Sequence, residues 1–138
     1  MSTVTPKGFS FGTASGGFKS EGRQDLAVLV SDVPAVSAGV FTTNLFKAAP
    51  VLVGQERIGE KDTARVVLIN AGQANACTGP EGRDKCRETM EMISDALGVD
   101  VSDVLPASTG VIGTQLKMDK WRKAAPLAGR YRFQGGKY

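Results

Sequence analysis

A mixed α/β fold is predicted by three features of the sequence. Short apolar runs rich in β-branched residues fill the first half, and one later segment repeats its apolar residues at helical spacing. Glycine, 17 of 138 residues, falls between these segments. Runs this short, bounded by Gly, Pro and Asn, favour buried strands over helices. A four-three-four repeat is one face of a helix, and interspersed glycines mark tight turns and close backbone approaches rather than disorder.

The elements follow in order. Asp25-Leu-Ala-Val-Leu-Val30 is an apolar run closed by Ser31-Asp32-Val33-Pro34, and the Lys19–Asp25 segment before it has the glycine and charge pattern of a hairpin connection. Val36-Ser-Ala-Gly-Val-Phe-Thr-Thr43, Val51-Leu-Val53 and Arg65-Val-Val-Leu-Ile69 are the next strand candidates. A helix opens at Pro80-Glu81, where proline suits the first turn and the acid faces the positive end of the helix dipole. Cys86, Met90, Ile93 and Leu97 form its apolar face, and Gly98 is a natural C-terminal cap. A short strand is expected around Val104–Ala107. A second helix is expected from near Leu116, carrying Met118 and Trp121 and stopping around Pro126. The stretch 128–138, with both tyrosines and Gly135-Gly136 and no periodicity, reads as a tail.

Charge and composition narrow the function. The net charge is +3, from 17 basic and 14 acidic residues, but Arg130, Arg132 and Lys137 lie in the acid-free tail, leaving 14 of each sign in residues 1–127. A neutral body has no broad footprint for a phosphate backbone, so nucleic acid is not an expected partner. The chain has no histidine and two cysteines, Cys77 and Cys86. A Cys–His dyad, a Ser–His–Asp triad and a His-containing zinc site are therefore impossible within it, and no metal or cofactor is expected. The two cysteines read as reduced thiols. No signal peptide and no apolar run long enough to cross a membrane is visible, so a cytoplasmic location is expected.

Three loops could carry chemistry. Ser15-Gly-Gly-Phe-Lys-Ser20 faintly suggests a phosphate cradle, but Phe18 separates glycine from lysine, which breaks the P-loop pattern, and a glycine turn between strands accounts for it. Asn70-Ala-Gly-Gln-Ala-Asn-Ala-Cys-Thr-Gly79 follows a strand and precedes a helix, where backbone amides can converge on an anion. Ser108-Thr-Gly-Val-Ile-Gly113 sets a hydroxyl beside a glycine, so that an O–H and a backbone N–H can aim at one point and form an oxyanion hole. A capping turn would use the same residues.

In sequence order, Gly17-Phe-Lys19, Asp25-Leu-Ala27, Ala38-Gly-Val-Phe-Thr-Thr-Asn44, Ala48-Ala-Pro-Val51, Asn70 to Gly79 and Ser108 to Gly113 make a specific set. With it, about residues 8 to 125 resemble the ornithine acetyltransferase/N-acetylglutamate synthase (glutamate N-acetyltransferase) family. The resemblance implies a layered α/β sandwich built by both halves of a precursor that cleaves itself before a threonine. That threonine, now an N-terminus, attacks the acetyl group of N2-acetylornithine and passes it to glutamate, and some members accept acetyl-CoA as donor. A free α-amino group, with a pKa of about 8, can serve as the adjacent base. Carried over by position, the Thr109 hydroxyl and the Gly110 N–H are the oxyanion-hole donors.

Two departures shape the expectation. Where the family usually reads Asn-Ser-Gly-Asn-Ala-Asn-Ala, this chain has Ala71 and Gln73, so no ligand contact is assigned in that loop. The family's later Thr-Thr-Asp and Lys-Gly-(Ser/Ala)-Gly-Met-Ile segments, and the cleavage-site threonine, do not occur. Residues 1–127 are accordingly expected to be a truncated N-terminal part of the acetyltransferase, with 128–138 a tail outside the family pattern. Alone, the chain is expected to be inactive; its partner would be the C-terminal half of the precursor, and the complete protein an oligomer. The rival expectation is a non-enzymatic interaction module that uses the cationic and aromatic tail. A nucleotide-binding domain lacks both glycine-rich fingerprints.

Overall fold

The structure, a computed structural model, describes residues 6–20, 22–130 and 132–134. Its elements are β1 (Phe9–Ala14), β2 (Leu26–Val36), α1 (Ala49–Glu60), β3 (Thr63–Gln73), α2 (Gly79–Leu97), a single 3-10 turn (Val101–Asp103), β4 (Val104–Val111), α3 (Met118–Arg130) and β5 (Arg132–Gln134). The strands form one sheet in the order β4-β3-β2-β1-β5, in which β3 and β4 are parallel and the other pairs antiparallel. The expected α/β class holds.

Strand alternation divides the sheet into two unequal faces. On one, Gly12, Val28, Leu68 and Pro106 stand in register across four strands, flanked by Leu26, Val30, Val66 and Val104, and the helices cover them. Cys86, Met90 and Ile93 of α2 and Trp121, Ala124, Ala125 and Ala128 of α3 complete this core. Phe18 lays its ring on Trp121 with centroids 5.0 Å apart, a favourable tilted aromatic pair. Burial pushes the Cys86 thiol up to about 12, the neighbouring Arg87 opposing and Glu56 reinforcing that shift, so Cys86 behaves as a small hydrophobe. The other sheet face carries Phe11, Leu29, Val67 and Leu105 in one register row, and none of the helices among the described residues packs on it.

Four sequence expectations change. Val51–Val53 belongs to a helix, because Pro50 starts α1 and the buried positions Ala49, Pro50, Val53, Gly54 and Arg57 recur at helical spacing. The buried arginine in that set hides the period from a reading of apolar residues alone. The strand expected over 36–43 ends at Val36, where pairing with Thr63 runs out, and residues 37–48 are irregular. Ser108, Thr109 and Gly110 continue the strand expected over 104–107 instead of forming a turn.

The boundary at 127/128 falls inside α3. Pro126 sits on an exposed turn while Ala124, Ala125 and Ala128 keep a small-residue face against the sheet. That packing carries the helix past the proline, at the loss of one backbone hydrogen bond. Gly12 is why the helix can sit so close: a Cβ there would lie 2.1 Å from the Ala128 carbonyl oxygen. Beyond α3, the backbone of residues 132–134 pairs with β1; the rest of the expected tail, residues 131 and 135–138, lies outside the described residues. By contrast, α2 with Gly98 as its left-handed cap (φ 66°) matches its sequence pattern throughout.

Candidate functional site

Parallel strands end side by side, and the crevice beyond their carboxyl ends is where open α/β sheets bind ligands. β3 and β4 are this fold's parallel pair, and the two small-residue loops leave from their ends. They are stitched together: the Ala74 N–H donates to the Val111 carbonyl (3.0 Å) and the Gly113 N–H to the Ala76 carbonyl (2.8 Å). Side chains add to this. Buried Gln73 donates from Nε2 to the Gln115 carbonyl (3.4 Å), and Gln115 Nε2 donates to the Thr78 carbonyl (2.8 Å). The departure at residue 73 thus has a structural use, tying the β3 end to the segment after β4.

Thr109 and Gly110 lie at the exposed end of β4, which is the edge strand of the sheet. The Thr109 hydroxyl has one long contact, 3.5 Å to the Asn70 carbonyl, so little holds it there and it can turn to another acceptor. The Val111 carbonyl accepts from Ala74, the residue after β3. Gly110 has φ +132°, and a Cβ on it would fall 2.3 Å from the Gly72 carbonyl carbon. Glycine is therefore required here by both conformation and space.

The 74–79 loop is a rigid support. Asn75, fully buried and left-handed at φ 50°, donates from Nδ2 to the Gly82 carbonyl (2.9 Å) and accepts from the Thr78 hydroxyl (2.7 Å). Its carbonyl accepts the Ala49 N–H (3.0 Å), which joins the start of α1 to the start of α2. Cys77 is exposed and also left-handed, at φ 57°.

The glycine-rich loop after β1 has its amides already occupied. The buried carboxylate of Asp25 accepts from the N–H groups of Gly16 (2.6 Å), Phe18 (2.7 Å) and Lys19 (3.0 Å), a concave set of donors of the kind that binds anions. An internal anion fills it, which explains the resemblance to a phosphate cradle. Lys120 of α3 reaches the Gly17 carbonyl. So anchored, the loop crosses the end of β3: a Cβ on Gly72 would meet the Phe18 carbonyl carbon and the Lys19 Cγ, both at 2.9 Å. Gly72 in turn pairs with Gly110 of β4. Among the described residues the Lys19 ammonium has no hydrogen-bond or ion-pair partner.

Among the described residues, no three His, Cys, Asp or Glu side chains are placed to hold a metal, and no helix is long and apolar enough to cross a membrane.

Similarity to other proteins is extensive. Residues 10–132 match the ArgJ family. The chain is 59% identical over 124 residues to the arginine biosynthesis bifunctional protein ArgJ of Nitratidesulfovibrio vulgaris, covering 90% of this chain and 32% of that protein. It is 46% identical to the protein of that name from Geobacter sulfurreducens, over 87% of this chain and 30% of the relative. The chain thus spans about a third of the length of these curated relatives. In three dimensions it resembles the crystal structure of ornithine acetyltransferase complexed with ornithine from Mycobacterium tuberculosis. The TM-score is 0.89 at 37% identity, with 96% of this chain and 70% of that one covered. ArgJ from Bacillus halodurans superimposes with a TM-score of 0.80 at 35% identity, over 88% and 68% of the two chains.

Proposed function

We infer function from family membership: the chain belongs to the ArgJ family, and we propose that it forms the N-terminal part of an arginine-biosynthesis acetyltransferase and contributes its oxyanion hole. In the reaction we propose, the acetyl group of N2-acetylornithine passes to glutamate, with acetyl-CoA as an alternative donor. The rest of the family length, as the C-terminal half of the same precursor, supplies the nucleophilic threonine, and the complete protein is an oligomer.

The observation that carries the reading is the placing, at the end of an edge strand, of a loosely held Thr109 hydroxyl beside a glycine whose position leaves no room for a Cβ. When threonine oxygen attacks the acetyl carbon, the carbonyl oxygen becomes an anion between the Thr109 hydroxyl and the Gly110 N–H. Collapse breaks the C–N bond; the leaving nitrogen takes up a proton and ornithine departs. Glutamate's amine then attacks the acetyl-threonine, forming the new C–N bond and losing a proton, while the ester C–O bond breaks and the threonine oxygen takes a proton up again. At each tetrahedral stage the charge sits on the same oxygen, so one pair of donors serves both halves of the transfer.

The test is a chimera in which this chain replaces the matching 124 residues of the Nitratidesulfovibrio vulgaris relative. The chimera should transfer acetyl from N2-acetylornithine to glutamate, and the chain alone should not. A folded, soluble chimera without transfer would overturn the reading, and transfer by the isolated chain would refute the division of labour.

A further inference from the structure

We propose that Gln73 is a positioning residue for the acetyl transfer, its side-chain amide holding the Thr109–Gly110 end of β4 in place; the assignment rests on the acetyltransferase reading above and adds a residue to its machinery. The backbone at this point has little restraint of its own. Gly72 and Gly110 pair across β3 and β4, and both have positive φ, at 101° and 132°. Glycine visits either sign of φ at little cost, and two facing glycines have no side chains to lock the pair. The fit is nonetheless tight, since a Cβ on Gly110 would fall 2.5 Å from the Gln73 nitrogen. The main chain of Gln73 therefore packs directly on the glycine beside Thr109, and a shift of the β3 end carries Gly110 with it.

The Gln73 side chain fixes the segment that leaves this glycine pair. It is 2% exposed, and both ends of its amide are used. Nε2 donates to the Gln115 carbonyl and Oε1 accepts the Lys117 N–H, each at 3.4 Å. Closer in, the Ala74 N–H donates to the Val111 carbonyl and the Gly113 N–H to the Ala76 carbonyl. Residues 111, 113, 115 and 117 are thus all bonded to residues 73–76, and the two outer bonds depend on the Gln73 amide. Lys117 adjoins Met118, where α3 begins, and Met118 and Trp121 are part of the core. One buried amide therefore ties the glycine pair to the start of a packed helix. Without it, the Gln115 carbonyl and the Lys117 N–H lose their partner, and the end of β4 is free to drift. Misplacing a catalytic group by about 1 Å can cost on the order of 10²-fold in rate.

The experiment uses the chimera and reads kcat and KM for N2-acetylornithine in two backgrounds, the parent and Thr109→Ala. Gln73→Met keeps the length and shape of the side chain and removes both amide bonds. In the parent background it should lower kcat roughly 10- to 100-fold, with KM little changed. In the Thr109→Ala background the same substitution should cost less, because displacing a hydroxyl that is already absent has no further effect. Residues that act through one another show this non-additivity, and independent ones do not. General loosening of the fold would lower the rate equally in both backgrounds. A loss as large in the Thr109→Ala background as in the parent, or an unchanged kcat in folded Gln73→Met, overturns the assignment while the acetyltransferase reading stands. Should Gln73→Met fail to fold, Gln73→Ala is read in both backgrounds against the same criterion. An inactive parent chimera overturns that reading and this assignment together.

Discussion

Thr109 has a side chain whose removal changes almost nothing in the packing of this chain: it is exposed, and its single contact to the Asn70 carbonyl is 3.5 Å long. Thr109→Ala in the chimera should therefore leave the melting temperature within a degree or two while lowering kcat about 10²–10³-fold, the usual effect of deleting one oxyanion donor. Thr109→Ser, which keeps the hydroxyl, should recover most of the rate. Equal rates for the alanine variant and the parent would remove Thr109 from the site. Gly110 cannot be probed in this way, since a Cβ would strike the Gly72 carbonyl carbon and a substitution would disturb the β3–β4 pairing before it reported on chemistry. At this scale the sequence was partly legible. The hydroxyl beside a glycine was visible as a pair, because residues 109 and 110 are neighbours in the chain. Its setting in an edge strand instead of a turn was not, because Gly110 with a positive φ resembles a turn glycine until its strand partner is known. The role of Asp25 was silent for a related reason: its carboxylate accepts from amides that only the fold brings near.

The elements show where pattern reading succeeds. α2 was legible from end to end because proline, a periodic apolar face and a capping glycine all agree, and agreement between local signals is what makes an element readable. α1 was misread because its buried face includes Gly54 and Arg57, which break the apolar period and leave Val51–Val53 looking like a strand. The β1–β2 connection was legible as a hairpin loop, but not what holds it. Asp25 is only 3% exposed, and its carboxylate satisfies three amides. Asp25→Ala would leave those donors without their partner, and hydrogen bonds to a charged acceptor are the stronger kind. We expect a loss of about 2–4 kcal/mol of unfolding free energy, measured by urea denaturation of the chimera, with Asp25→Asn intermediate. A loss below about 0.5 kcal/mol would mean that water replaces the carboxylate freely, and that Asp25 does not hold the 16–19 loop.

At the scale of the molecule, the decisive feature is that, among the described residues, the helices cover one face of the sheet and leave the other open. Phe11, Leu29, Val67 and Leu105 form one row on the other face, and Ala27, Ile69 and Ala107 part of the next; Phe11 is 38% and Ile69 40% exposed. Strands with one solvated face normally alternate apolar and polar residues, whereas these are apolar on both sides, the pattern of strands meant to be buried on both faces. A contiguous apolar patch of this kind marks an interaction surface or an aggregation liability. The chain spans about a third of its relatives' length, and we propose that the remaining two thirds cover this face in the complete protein. Two measurements with opposite signs follow. For the chain alone, light scattering should show association that grows with concentration, and Phe11→Lys with Ile69→Lys should reduce it, because charges on an open face repel copies and favour water. In the chimera the same two substitutions should lower stability and activity together, since they would bury charge under the covering layer, at a cost of several kcal/mol. A chain that is monomeric at all concentrations, or a chimera that tolerates both lysines, would mean that this face is exposed by design and that the rest of the protein packs elsewhere.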